Sequence, residues 1–386
     1  MKILMPDVMK VEYNTRVLQE AASLMKCKYE VHVLGFSNMT RTFKSKTNGI
    51  PCYSYYLSDY RSGIRKISRY LTALRMLLRV NLFIIRNKYD VYHAHNFHVL
   101  PAAVIAAKIR RKKVVYDTHE TWTIHKSRKY HIEHLFAYIS EKLFLRYIDG
   151  FITVNEMVRD HYKNKYGLKN GVVLYNNHSV KPLKQLNLFH KEPNIDNDKK
   201  IVLFQGGFWG RSRGVFELID AAKYIDNNAV IILLGYGSPD VLCEINRSIV
   251  DNDLERKVFV LPPKCPDELL NYTMSADIGM NLINRGGKAQ DFQSPWKLFE
   301  YCMAGLAVVS TDLPFHRKVH EKYKIGPLVS TDNDPNDIAK AVNDLIKSPL
   351  KLSRYKRNAR KAAEDEFNWE VQEKKLLRLY EEITNG

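Results

Sequence analysis

The sequence predicts an α/β protein of two Rossmann-like domains, and three observations carry that reading. Residues 2–5, 15–24 and 29–36 alternate strand, helix, strand at the start of the chain. The same alternation restarts at Ile201-Val202-Leu203-Phe204-Gln205-Gly206-Gly207, after a polar interval. The length of 386 residues supplies two ordinary hydrophobic cores. Such alternation implies parallel sheets, with ligand loops at the carboxyl ends of the strands.

Composition narrows the class. Hydrophobic residues make up 45% and charged residues 26%, as in a globular protein. The net charge of +18 implies attraction to an acidic partner: nucleic acid, anionic lipid headgroups or a phosphorylated substrate. No nucleic-acid-binding motif accompanies the charge, so no nucleic acid is expected as a partner. Cys27, Cys52, Cys243, Cys265 and Cys302 are scattered without metal-binding spacing, which suggests a reducing compartment. Residues 1–6 lead straight into a strand and read as no signal peptide. No apolar run reaches the length of about 18 residues that a spanning helix needs. The expected location is cytoplasmic, with the inner face of the plasma membrane as a peripheral site.

The elements follow in order. Pro6-Asp7-Val8-Met9-Lys10 reads as the first loop, and Arg16 lies on the first helix, where it either faces a cleft or is simply exposed. Residues 60–88 interleave Arg61, Arg65, Lys66, Arg69, Arg75, Arg79 and Arg86 with apolar residues at helical period. That stretch fits a basic surface lying on anionic membrane, and equally a core-packed helix with solvated arginines. Residues 89–96 form a strand, 99–109 an apolar helix, and 113–120 a strand that places His119 and Glu120 at a carboxyl edge. Strands at 149–155 and 172–177 close the first domain, expected over residues 1–180. Residues 181–199 read as a linker. The second domain, residues 200–366, carries the loop Phe208-Trp209-Gly210-Arg211-Ser212-Arg213-Gly214 and then a helix over 215–223. A strand at 230–234 runs into Gly235-Tyr236-Gly237, and another occupies 258–263. Asp-Asn-Asp runs at Asp196, Asp251 and Asp332 suit turns and caps, so no metal is expected from them. Residues 367–386 close the chain with an amphipathic helix.

The stretch with the most chemistry is Gly286-Gly287-Lys288 through Ser294-Pro295-Trp296-Lys297-Leu298-Phe299-Glu300. Ser294 reads as an N-cap, Pro295 as the first helical residue, and Gly305 as the stop. A helix start after a glycine loop suits a phosphate. Lys297 and Glu300 share one face and fit a diphosphate and its ribose, or simply a solvated pair.

Residues 294–305 resemble the donor-site motif of retaining GT-B glycosyltransferases, in particular glycosyltransferase family 4 (group 1 glycosyltransferases). The resemblance implies two Rossmann-like domains facing across a cleft, with a C-terminal helix crossing back to the first. It also implies transfer of a sugar from a UDP- or GDP-linked donor, with retention and without a metal or other cofactor. The acceptor would be a glycan or a lipid-linked sugar, in cell-surface polysaccharide biosynthesis. By the same resemblance Glu300 binds the ribose, and Arg213 and Lys297 stabilise the departing diphosphate. Gly207, Arg211, Gly235, Gly237, Gly287, Lys288 and Ser294 surround the donor. His119 contacts the sugar or orients the acceptor, with Glu120 and Arg16 on the acceptor side. The family's pattern departs at two positions: Phe292 replaces the first of two glutamates, with Asp291 beside it, and Phe208 replaces a cation. Those aromatic replacements leave room for a non-catalytic sugar-nucleotide- or membrane-binding subunit. A nucleotide-sugar epimerase would share the plan, but no additional acid and base groups are evident for it.

Overall fold

The computed structural model describes residues 1–39, 42–56, 66–121, 131–168, 171–191 and 195–385, with the side chains of 66–71 and of Arg211 outside that description. The chain divides into two compact units, residues 1–175 with 372–386, and residues 176–371.

The first unit contains β1 (Lys2–Lys10), α1 (Thr15–Lys26), β2 (Glu30–Ser37), β3 (Lys44–Thr47), β4 (Ile50–Tyr56), α2 (Lys66–Arg86) and β5 (Val91–His95). It continues with α3 (Leu100–Arg110), β6 (Lys113–Thr118), α4 (His131–Phe144), β7 (Gly150–Thr153), α5 (Glu156–Tyr166) and β8 (Gly171–Val173). The sheet order is β3-β4-β2-β1-β5-β6-β7-β8, parallel except for the β3 edge. Residues 6–10, expected as a loop, instead continue β1 beside β2, with a register shift between Pro6 and Lys10. The Asn14 side chain caps α1 by accepting from the Val17 N–H.

The second unit contains α6 (Leu188–Lys191), β9 (Lys200–Gly207), α7 (Val215–Ala222), β10 (Ala229–Tyr236), α8 (Pro239–Val250), β11 (Val258–Leu261), α9 (Pro266–Met274) and β12 (Ile278–Asn281). It closes with α10 (Trp296–Ala304), β13 (Ala307–Thr311), α11 (Pro314–Tyr323), β14 (Leu328–Val329), α12 (Pro335–Ile346) and α13 (Pro349–Asp365). Its six strands are all parallel, in the order β11-β10-β9-β12-β13-β14. The near-continuous apolar runs of β9 and β10 fit strands covered on both faces. Residues 181–199, read as a linker, fall inside this unit, and Phe189 is fully buried against Tyr272.

The final helix, α14 (Trp369–Asn385), contributes residues 372–386 to the first unit. There the Tyr380 hydroxyl lies 2.9 Å from His93 Nδ1. His93 stacks on His95, with ring centroids 4.4 Å apart. Both histidines belong to a buried charge network centred on Arg16. Its Nε donates to Asp117 Oδ2 at 2.8 Å, its Nη2 to Asp117 Oδ1 at 3.1 Å and its Nη1 to the Leu174 carbonyl at 2.8 Å. Glu20 Oε1 lies 3.2 Å from the same Nε. Arg16 is therefore buried and bound within its own unit, not displayed on an open helix face.

The two carboxyls of this network titrate in opposite directions. Burial works against the charged Asp117, but Arg16, His119 and His95 outweigh it and hold its pKa well below the usual carboxylate range. Burial and the Asp117 charge push Glu20 well above that range despite Arg16. Glu20 is thus the partner that takes up a proton more readily. Asp117→Asn, which strips a buried guanidinium of its counter-charge, should cost about 3–5 kcal/mol in urea denaturation. Glu20→Gln, which mimics a neutral acid, should cost less than about 1 kcal/mol. The Asp117 contribution is present above the unfolded carboxyl pKa of about 3.9 and is lost as pH falls through its lower folded value. Similar losses in both variants would disprove this division of charge.

Candidate functional site

In the second unit, Glu300 is held by neighbouring side chains. Its Oε2 accepts from Gln205 Nε2, and its Oε1 lies 3.3 Å from His178 Nε2. Gln205 is fixed in turn: its Oε1 accepts from Thr273 Oγ1 at 2.8 Å, and its backbone N–H donates to the Tyr301 hydroxyl at 3.0 Å. Tyr301 Oη donates to the Leu203 carbonyl at 3.2 Å. Strand β9 therefore sets the position of the α10 carboxylate. The sequence reading missed Gln205 and His178. A single glutamine in an otherwise apolar strand was the available signal for the first; the second had none.

Lys297 does not form the solvated pair with Glu300 that the spacing allowed. Its side chain is 8% exposed, and Nζ lies 3.6 Å from the centroid of the Phe204 ring. No hydrogen-bond partner reaches Nζ among the described residues. Burial, reinforced by the nearby Arg213 charge, lowers its pKa well below that of an ordinary lysine, while Glu300 opposes the shift. Helix α10 begins at Trp296, with Pro295 at the cap position and no side-chain cap. This corrects the expectation that Ser294 caps the helix. Ser294 is buried one residue earlier.

The glycine loops divide into two kinds. Gly287 has φ 154°, and a Cβ there would meet nothing nearer than Gln290 Oε1 at 3.9 Å, so the backbone conformation demands glycine. At Gly235 a Cβ would fall 1.9 Å from the Gly206 carbonyl oxygen, so strand packing demands it. Gly207 ends β9 beneath the Trp209 ring, and Gly237 follows β10 beside Phe208. Lys288 is exposed in the loop ahead of α10. Asp291, next to the aromatic replacement Phe292, pairs with Arg285 at 2.9 Å. Arg211 lies in a single 3-10 turn, Gly210–Ser212. Phe208, at the usual place of a cation, is a core residue 1% exposed, packed 6.1 Å from Phe204.

In the first unit, His119 follows the end of β6. Its Nε2 lies 3.2 Å from His95 Nδ1 and 3.5 Å from Asp117 Oδ2. Glu120 is exposed, and its carbonyl accepts from Thr118 Oγ1 at 2.8 Å. Burial lowers the His95 pKa even though Asp117 opposes it, and lowers His93 further, with His95 adding to the effect. Among the described residues, Glu20, His93, His95 and Asp117 converge within 4.8 Å and could offer metal-ligating atoms. The Arg16 guanidinium already supplies the positive charge there, so a cation would have to displace it.

Residues 14–176 match the family described as Glycosyltransferase Family 4, and residues 187–362 match Glycosyl transferases group 1. Spore coat protein SA of Bacillus subtilis (strain 168) is 30% identical over 83 residues, which span 22% of this chain and 22% of that protein. Among solved structures, the sucrose-phosphate synthase of Thermosynechococcus elongatus superposes with a TM-score of 0.78 at 15% identity, covering 100% of this chain and 99% of that one. Anabaena HepE, solved in complex with UDP and glucose, superposes with a TM-score of 0.74 at 17% identity, covering 99% of each chain. At those identities the superpositions establish the fold, two parallel-sheet α/β units of GT-B type. With one family match on each half, the chain belongs to the group 1, family 4-like glycosyltransferases.

Proposed function

We propose that the protein transfers a sugar from a UDP- or GDP-linked donor to a glycan or lipid-linked acceptor, with retention of anomeric configuration and without a metal. The observation that carries this reading is Lys297, a buried amine with no hydrogen-bond partner among the described residues, in the first turn of α10. Such a group is costly unless an anion completes it. A diphosphate supplies that anion, and Glu300, fixed by Gln205 and His178, suits the adjoining ribose hydroxyls. The UDP and glucose bound by the HepE relative are of the same chemical class.

The difficult step is charge gathering on the departing diphosphate. Lys297, Arg213 and the first N–H groups of α10 stabilise that charge in surroundings of low polarity, where each interaction counts for more than in water. On this reading the bond from the anomeric carbon to the phosphate oxygen breaks, and the acceptor oxygen bonds to that carbon on the same face. The acceptor proton passes to the leaving phosphate. His119, oriented by His95 and Asp117, is assigned to the transferred sugar. Membership of the family supports retention, and Arg213 and Lys297 together take the electrostatic part a metal would otherwise play.

Incubation with a panel of UDP- and GDP-linked sugars and lipid extracts should yield a product from one donor, with the anomer read by NMR and little effect of chelator. Complete loss of activity with chelator would overturn metal independence. Glu300→Ala should weaken donor binding about tenfold or more in calorimetry, through loss of charge-assisted hydrogen bonds. Lys297→Met should lower turnover about 100- to 1000-fold while leaving stability unchanged or raised, since it removes a buried amine without a partner.

The lowered Lys297 pKa also sets a pH dependence. Free Lys297 is neutral above that pKa, while a bound diphosphate favours the ammonium, so the complex holds more protons than the free protein. Affinity for UDP should therefore fall as pH rises from the lowered pKa of the free protein towards the higher pKa of the complex, by at most about tenfold per pH unit, and flatten in Lys297→Met. A flat wild-type profile would remove Lys297 from the diphosphate site.

A further inference from the structure

Connections β4 to β5, β5 to β6 and β6 to β7 all advance in the same direction along the first sheet. Right-handed crossovers therefore place α2, α3 and α4 on one face, and the helices pack in that order. Arg110 on α3 donates to the Ile85 carbonyl on α2. Phe97, just before α3, meets Phe136 of α4 at 5.7 Å. Their outward sides make one continuous surface.

That surface is apolar where a water-facing surface should be polar. On α4, Ile132 is 79% exposed, Leu135 60%, Ile139 44% and Leu143 48%. These positions recur at helical spacing, so they form a stripe facing away from the core. On α3, Ile105 and Ile109 are exposed, and on α2, Leu74, Leu78 and Leu82. Isolated exposed apolar residues are ordinary, but a patch shared by three adjacent helices marks a binding surface.

Charge identifies the occupant. Arg75 and Arg79 stand exposed on α2, and Lys108, Lys142 and Arg146 on or just beyond α3 and α4. Among the described residues of these helices no carboxylate is exposed; Glu133 is half-buried and Glu141 buried. Two copies of such a face would bring like charges together, which disfavours self-pairing. Nucleic acid would satisfy the cations but leave the leucines and isoleucines in water. We propose that the α2-α3-α4 face docks on an anionic lipid bilayer, with the aliphatic stripe of α4 entering the headgroup boundary and the surrounding cations meeting lipid phosphates. Surface-lying helices combine these two contributions, apolar burial and attraction to anionic headgroups. The inference does not depend on the donor-site reading, because docking requires no turnover.

The test is sedimentation of the full chain with vesicles of phosphatidylcholine alone, or of phosphatidylcholine and phosphatidylglycerol in about equal parts. Wild-type protein should pellet with the anionic vesicles and remain in solution with the neutral ones. Leu135→Gln/Ile139→Gln/Leu143→Gln should reduce anionic-vesicle partitioning about tenfold or more. Lys142→Glu/Arg146→Glu should do likewise through charge alone. Val250→Gln, at an exposed apolar site of the second unit, should change nothing. Wild-type protein staying in solution with anionic vesicles, or both face variants partitioning as wild type, would overturn the proposal. So would a concentration-dependent dimer in light scattering that the triple variant abolishes without any vesicle binding.

Discussion

The Arg16 guanidinium is the charge on which the first unit closes. Its donors reach a carboxylate on β6 and a carbonyl just past β8, from a helix near the start of the chain. Bringing that cation out of water carries a desolvation penalty of several kcal/mol, offset here by a two-pronged contact with Asp117. The arrangement propagates outward. Asp117 faces His95 and His119, His95 stacks on His93, and His93 meets Tyr380 on the closing helix. His119 thus stands at one end of a buried chain, and the last helix of the protein at the other.

The second unit treats its buried cation in the opposite way. Lys297 has an aromatic ring beneath it, and a ring face returns only about 0.5–2 kcal/mol, too little to replace a water shell. No hydrogen-bond partner within the described residues completes the group, whereas the Arg16 guanidinium is paired with Asp117 and the Leu174 carbonyl. A protein tolerates an unmatched buried amine where a ligand supplies the missing charge, and such groups concentrate at functional sites. The carboxylate one turn deeper, Glu300, is by contrast firmly held by Gln205 and His178. One group lacks a hydrogen-bond partner among the described residues, while the other is oriented by two.

Much of the fold was legible because parallel strands covered on both faces are written as unbroken apolar runs, as in residues 201–204 and 230–234. The donor helix was legible because its glycine loop, its first-turn lysine and its closing Gly305 are close in sequence. What could not be read were partners remote in sequence: Arg16 with Asp117, Glu300 with His178, Lys297 with Phe204. Spacing alone left Arg16 and Lys297 free to be solvated, and only the three-dimensional packing shows both to be buried. Helix capping erred by a single position, because Ser and Pro in succession suit either assignment and local geometry decides between them. Helix α4 went unnoticed: Ile132, Leu135 and Ile139 share it with the buried Ala137 and Glu141, so its apolar pattern marks no single inward face.

The two aromatic departures from the family's motif acquire different meanings once placed. Phe292 lies half-buried beside Asp291, whose Oδ2 is engaged by Arg285 while its Oδ1 is buried with no hydrogen-bond partner among the described residues. Phe208 does more than remove a cation. It packs on Phe204, and Phe204 is the ring that underlies the Lys297 amine. Exchanging a guanidinium for a core phenyl lowers the polarity around the remaining cations and removes one that would repel them. Less polar surroundings penalise the charged form of the Lys297 amine, in keeping with its lowered pKa.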